Sequence, residues 1–113
     1  MAKFMKGDVV AVPFPFSDLT QAKRRPALVV TALAGDDVIL CQITSQSLRD
    51  QYSIEISDDD FQQSGLKQKS NVRPNRLFTA DGHIILYKIG RLKLTATDRI
   101  IAFLVKIIQE GEG

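Results

Sequence analysis

Arg25-Pro26 is the most chemically informative pair in this chain. Proline biases the residue before it towards extended backbone and contributes no N–H of its own. Arg25 is therefore expected to stand extended at a strand mouth, its guanidinium presented beside the polar loop 17–24. A hairpin supplies its neighbour. Residues 25–31 (RPALVVT) and 38–44 (VILCQIT) are rich in β-branched side chains, with the turn-forming Ala34-Gly35-Asp36-Asp37 between them. If Thr31 pairs with Val38, Val30 falls against Ile39 and antiparallel counting sets Arg25 against Thr44. A tighter turn on Gly35-Asp36 shifts the register by two residues and still leaves the two side chains close. A permanent cation and a hydroxyl then meet at the open end of one hairpin, with Ser45 and Gln46 just beyond. A guanidinium grips phosphate oxygens through a planar fork, so phosphate chemistry is what this pair suits. Spacing alone equally allows an arginine that merely ends a strand and a threonine kept for its β propensity.

Other reactive residues carry less. His83 follows Asp81-Gly82 and reads as a solvent-facing turn residue. Cys41 sits mid-strand between Leu40 and Gln42 with no basic neighbour to activate it, so it reads as a structural thiol. Asp58-Asp59-Asp60 after Ser57 opens a helix, where the dipole stabilises carboxylates without a metal. No phosphate-cradling glycine loop, His/Cys pair or nucleophile elbow is present. Net charge is only +2, but the charges are segregated. Lys67, Lys69, Arg73, Arg76, Lys88, Arg91 and Lys93 share their stretch with one acid, Asp81, and Lys23-Arg24-Arg25 form a second basic cluster. Such segregation can leave one face attractive to polyanions, although ordinary solvated surface has the same composition.

The elements that must hold these residues are mostly short strands. Residues 6–12 (KGDVVAV) form a first strand stopped by Pro13 and Pro15, and 52–56 alternates apolar and polar, as a strand with one wet face does. Ser57 caps a one- or two-turn helix ended by Gly65. Residues 72–79 and 84–92 flank Asp81-Gly82 as another hairpin. Thr95-x-x-Asp98 opens a final helix as a capping box, and Ile100, Ile101, Leu104, Ile107 and Ile108 recur on one face. Five or six strands and a terminal helix fit a small closed or nearly closed β-barrel, since closure removes exposed edges.

Size and composition agree. A chain of 113 residues suits one domain that buries roughly two-thirds of its unfolded surface. With 44% hydrophobic and 25% charged residues it has the composition of a soluble globular protein. A lone Cys41 and a lone His83 exclude a disulfide framework and a Cys/His zinc site. Neither a signal peptide nor an apolar run of about 20 residues is evident, so a cytoplasmic protein is expected.

Three stretches resemble, in order, the amino-terminal signature of the MazF/PemK toxins. They are Gly7-Asp8-Val9-Val10, Val12-Pro13-Phe14-Pro15-Phe16-Ser17-Asp18-Leu19 and Arg25-Pro26-Ala27-Leu28-Val29-Val30. Gln42-Ile43-Thr44-Ser45-Gln46 resembles the family's second motif, and residues 73–81 with Phe78-Thr79-Ala80 the segment that follows. These toxins are the ribonuclease halves of bacterial type II toxin–antitoxin pairs.

The resemblance covers nearly the whole chain and implies a single toxin domain over 1–113. The implied fold is mainly β: an SH3-like β-barrel with a short internal helix and a C-terminal amphipathic helix, acting as a homodimer. The implied activity is sequence-specific cleavage of single-stranded RNA without metal or cofactor. A small acidic, partly disordered antitoxin would restrain it, and operator DNA would be a partner of the toxin–antitoxin complex. The family's active-site arginine maps onto Arg25 and its hydroxyl residue onto Thr44. RNA contacts are expected from Phe16, Ser17, Lys23, Arg24, Ser45, Gln46, Arg73 and Arg76, although Arg73 and Arg76 are equally readable as bonded to barrel loops. Tyr52 and Phe14 read as core. Base choice is expected in the loop 17–24 and around 45–51. The rival reading is a non-catalytic interaction protein on the same barrel, binding gyrase or only antitoxin and operator DNA. Such a surface has no need of the Arg25/Thr44 pair.

Overall fold

The strands β1 (Asp8–Phe14), β2 (Lys23–Ala32), β3 (Asp37–Thr44), β4 (Ile54–Ile56), β5 (Phe61–Ser64), β6 (Ser70–Asp81) and β7 (Tyr87–Leu92) form one antiparallel sheet, ordered β4-β6-β3-β2-β1-β7-β5. The helix α1 (Leu94–Glu110) follows the last strand. The computed structural model describes residues 4–14, 23–46, 51–66 and 69–111. Connectivity forces the sheet to curl. Laid flat, its two edge strands would stand about 29 Å apart. Yet β4 and β5 are those edges, and five peptide steps from Ile56 to Phe61 span at most about 18 Å. The result is a half-barrel, with a single 3-10 turn at Asp58–Asp60 joining its two edges.

The curl gives the sheet two unequal faces. Every strand contributes to the inner one, through Val9, Leu28 and Val30, Cys41 and Ile43, Ile56, Phe61, Val72 and Leu92. The helix lays Ala96, Ile100 and Leu104 on this core at four-residue spacing, and Ile100 and Leu104 each contribute about 1.5–3 kcal/mol by their burial. The outer face is apolar over the central strands, where Val10, Val12, Ala27, Val29, Val38 and Leu40 pack with Phe78 and Ala80 of the neighbouring β6 and with Phe4 and Ile85. Towards the open ends of β2 and β3 it turns polar.

Several local expectations are corrected. β1 does not stop at Pro13, which lies in the strand opposite Arg24. Pairing with β7 has ended by Ala11, so no ladder bond is asked of the missing N–H. The β2–β3 register differs at the turn end. Thr31 pairs with Ile39 and Ala32 with Val38, because a bulge at Val30 inserts one extra residue. Beyond the bulge, Val29 opposes Leu40 and Ala27 opposes Gln42, so the counting expected for the open end is preserved. The turn closes through a bond from Leu33 N to Asp37 O (2.9 Å), with Gly35 at φ +78°, a conformation that favours glycine.

The helix expected to run on to Gly65 lasts one 3-10 turn, because Phe61 is drawn into the inner core and β5 pairs with β7. The Asp60 carboxylate accepts from Ser57 N (2.9 Å) and pairs with Arg99 (3.6 Å). Strands β6 and β7 form no hairpin. Asp81-Gly82 instead starts a 3-10 turn tied to the β2–β3 turn by Gly82 N donating to Asp36 O (2.7 Å), which carries the chain across to β1. Lys93, not Thr95, caps α1, and Ile108 is 67% exposed at the far end, where the helix has outrun the sheet.

Candidate functional site

Arg25 and Thr44 share the outer face. Arg25 alternates with Ala27 and Val29 along β2, and Thr44 alternates with Gln42 and Leu40 along β3; these apolar members all belong to the outer cluster. Val12 opposes Arg25, and the Ala27–Gln42 register carried two residues further sets Arg25 opposite Thr44. On the other side of β3, Thr44 opposes Asn71 in β6, and Asn71 opposes Glu55 in β4. One row thus crosses five strands at about 4.8 Å per step: Val12, Arg25, Thr44, Asn71, Glu55. The polar four lie where the apolar cladding ends.

Local bonds shape the row. The Thr44 hydroxyl oxygen accepts from Gln46 N (3.2 Å), and the Asn71 amide donates to Gln46 O (2.9 Å). The bend after β3 is therefore fixed to β6, and no acceptor among the described residues takes the Thr44 hydroxyl proton, which is left for a ligand. Arg25 is exposed and faces no carboxylate among them. A planar cation with five donors and a neighbouring hydroxyl can together hold two oxygens of one phosphate. Asn71 and Glu55 were not anticipated. The alternation of residues 52–56 did put Glu55 on a wet face, but nothing local says that β4 pairs with β6.

The other basic residues divide. Arg73, opposite Gln42, lies on the same face as Thr44 and is half-buried. Arg76 is exposed in a bulge of β6, where Pro74, Asn75 and Arg76 intervene between the pairings of Arg73 with Gln42 and Leu77 with Cys41. Ser45 and Gln46 are exposed in the bend beside Thr44. Arg24 is not brought to the row. As Arg25's chain neighbour it points to the opposite face, where its guanidinium lies 5.9 Å from the centre of the Tyr87 ring. Lys88 (3.4 Å) and Arg91 (3.2 Å) are engaged by the buried Asp8 carboxylate. Lys23 is described only through its backbone, opposite Phe14; Phe16, Ser17 and Lys67 lie outside the described residues.

The minor candidates are explained without chemistry. Cys41 is fully buried, and burial pushes its thiol up to about 12, which keeps it neutral and unreactive. His83 is exposed and bonds Asp81 (2.7 Å), whose carboxyl is held below its usual range by the backbone and side chain of His83. A pocket of about 930 Å³ between the β2–β3 turn, Phe4 and Tyr87 includes Asp8 and Arg91 but no member of the row. Among the described residues no helix is long and apolar enough to cross a membrane.

Comparison with known proteins places the chain in a family. The family model for the "PemK-like, MazF-like toxin of type II toxin-antitoxin system" matches residues 5–108. The fold is shared with MazF in a MazE–MazF structure from Deinococcus radiodurans (TM-score 0.79, 15% identity, 98% of this chain and 100% of that one). It is also shared with an endoribonuclease from a mycobacterial species (TM-score 0.73, 14% identity, 100% and 98%). A mycobacterial endoribonuclease bound to its cognate antitoxin is similar too (TM-score 0.70, 12% identity, 97% and 99%). No curated protein sequence matches significantly. A match over residues 5–108 of 113 makes this chain a member of the PemK-like, MazF-like toxins of type II toxin–antitoxin systems.

Proposed function

We propose that this toxin is an endoribonuclease that cuts single-stranded RNA at a phosphate held by Arg25 and Thr44. The observation that carries the reading is an exposed arginine with no carboxylate partner among the described residues, on the face and in the register of a threonine hydroxyl. Cleavage by the adjacent 2′-OH needs no enzyme nucleophile. It needs in-line geometry, charge stabilisation on the phosphorane, and proton traffic at two oxygens. Arg25 stabilises the charge that develops on the phosphoryl oxygens and donates towards the leaving oxygen. Thr44, its oxygen occupied by Gln46 N, donates its proton to the phosphate and orients it. The 2′-hydroxyl gives its proton to water as its oxygen bonds to phosphorus. The bond to the 5′-oxygen breaks as that oxygen, held by the Arg25 hydrogen bond, takes a proton from water, giving a 2′,3′-cyclic phosphate and a 5′-hydroxyl. DNA lacks the 2′-OH and binds without being cut.

The remaining expectations belong to this reading. Arg73, on the same face, and Arg76, in the β6 bulge, track the RNA backbone, each a salt-sensitive contact, with Ser45 and Gln46 beside the scissile position. Phe16, Ser17, Lys23 and Arg24 complete the proposed RNA contacts. The toxin acts in the cytoplasm as a single domain and a homodimer, held inactive by an acidic antitoxin. The antitoxin-bound mycobacterial relative and the MazE–MazF structure support such a partner. The test is a long RNA incubated in EDTA with wild type and with Arg25→Ala. Discrete fragments with 2′,3′-cyclic ends, absent in the variant, are expected. Intact RNA at high concentrations of antitoxin-free protein would favour the interaction-protein reading.

A further inference from the structure

The polar row ends on a carboxylate, which is out of place on a surface that binds a polyanion. Glu55 is exposed, stands on the outer face opposite Asn71, and has no cationic partner among the described residues. Asn71 and Thr44 lie between it and Arg25, which stands three strands away, and one Asn71 amide N–H is donated to Gln46 O (2.9 Å), so no ion pair within the row engages the charge. A carboxylate only accepts hydrogen bonds and repels phosphate. Next to a phosphate-gripping pair it weakens RNA binding unless the RNA brings donors to it. Glu55 stands two strands from Thr44, about 10 Å. That is the scale of the separation between a phosphate and the edge of the base beside it.

We propose that Glu55 reads the nucleotide flanking the scissile phosphate, accepting hydrogen bonds from an amino-bearing base and excluding uracil. The inference rests on the RNA-cleavage reading above. Adenine, cytosine and guanine each offer an exocyclic amine on their Watson–Crick edge, the edge that single-stranded RNA leaves open. Uracil offers one N–H between two carbonyl oxygens, which a carboxylate repels. Discrimination here combines attraction of the correct base with repulsion of the wrong one.

Mapping the ends produced from a randomised RNA pool by wild type and by Glu55→Gln tests this. Wild type should disfavour uracil by about 10-fold or more at one position beside the cut, the scale of one well-formed base contact. Glu55→Gln has the same shape, no charge and a donor for a carbonyl, so it should admit uracil there and leave every other position unchanged. An identical preference at all positions, or a uniform slowing at every site, would overturn the assignment. A second measurement does not depend on the variant folding. Wild type should bind an uncleavable RNA, 2′-deoxy at the reacting ribose, more tightly with cytosine than with uracil at the flanking position. Equal binding overturns the inference too. A wild type that cuts no RNA in EDTA refutes the nuclease reading instead, and the binding ratio still judges Glu55.

Discussion

Replacing Arg25 with alanine should separate catalysis from folding. The side chain is exposed, faces no carboxylate among the described residues and belongs to the third residue of β2, a strand whose core contacts are made by Ala27 and Leu28 onwards. Surface substitutions away from caps, cores and networks change stability by no more than about 0.5 kcal/mol, so urea midpoints of variant and wild type should nearly coincide. The transition state loses much more. Removing one preorganised group from a developing oxyanion slows reaction by about 100- to 1,000-fold, equivalent to about 2.7–4 kcal/mol. Arg25→Lys keeps the charge and loses the planar fork, so its rate should fall between the two. Thr44→Ala should also be slow, and the double variant should be less impaired than the product of the two effects, because both groups act on one phosphate. The assay is single-turnover cleavage of a defined RNA in EDTA with enzyme in excess, reading the cyclic-phosphate product. An Arg25→Ala protein that folds normally and cuts within a few-fold of wild type would refute the assignment of charge stabilisation to this residue.

Three further outcomes test the framework that holds the row. Asp8 is 2% exposed and accepts from Met5 N (2.9 Å) and Arg91 (3.2 Å), so Asp8→Ala should cost about 1–3 kcal/mol in chemical denaturation through the loss of those bonds. Gly90 stands where an added Cβ would meet Gln63 O at 2.6 Å; Gly90→Ala should push β5 off β7 and lower stability by about 1–3 kcal/mol, seen as a lower melting temperature. Burial holds the Cys41 thiol neutral up to about 12 against an ordinary value of 9.0, so the folded state keeps its proton where the unfolded chain has lost it. Stability from this group is complete below 9 and falls as pH rises from about 9 towards 12. The stability advantage of wild type over Cys41→Ala should shrink across that range, and the thiol should react with an aromatic disulfide only after denaturant is added.

How far the sequence reaches depends on the range of the interaction involved. Strand propensity, the Arg25-Pro26 dipeptide and the turn around Gly35 are local, and β2, β3 and the relation of Arg25 to Thr44 could be counted from them. The count survived the bulge at Val30 because the bulge lies on the turn side of Val29, leaving the open end in its original register. Helical periodicity likewise placed Ile100 and Leu104 on the core. Short-range signals failed wherever a distant partner competed. Asp58–Asp60 carry helix-start chemistry, yet Phe61 gains more by entering the inner core beside Leu92 than by extending a helix. Asp81-Gly82 looks like a hairpin turn, yet β6 pairs with β3 and β7 with β1.

By itself, then, the amino-acid order determined the family, the main strands, and which arginine and threonine stand at one hairpin's open end. Tertiary structure decided the rest: that Arg24 turns to the opposite face, that Lys88 and Arg91 are engaged by Asp8, and that Asn71 and Glu55 extend the row. Alternation within a strand is written in neighbouring residues and can be read directly. The choice of which strand lies beside which is made by burial over the whole curled sheet, where Ile56 and Phe61 must reach the same core from its two edges.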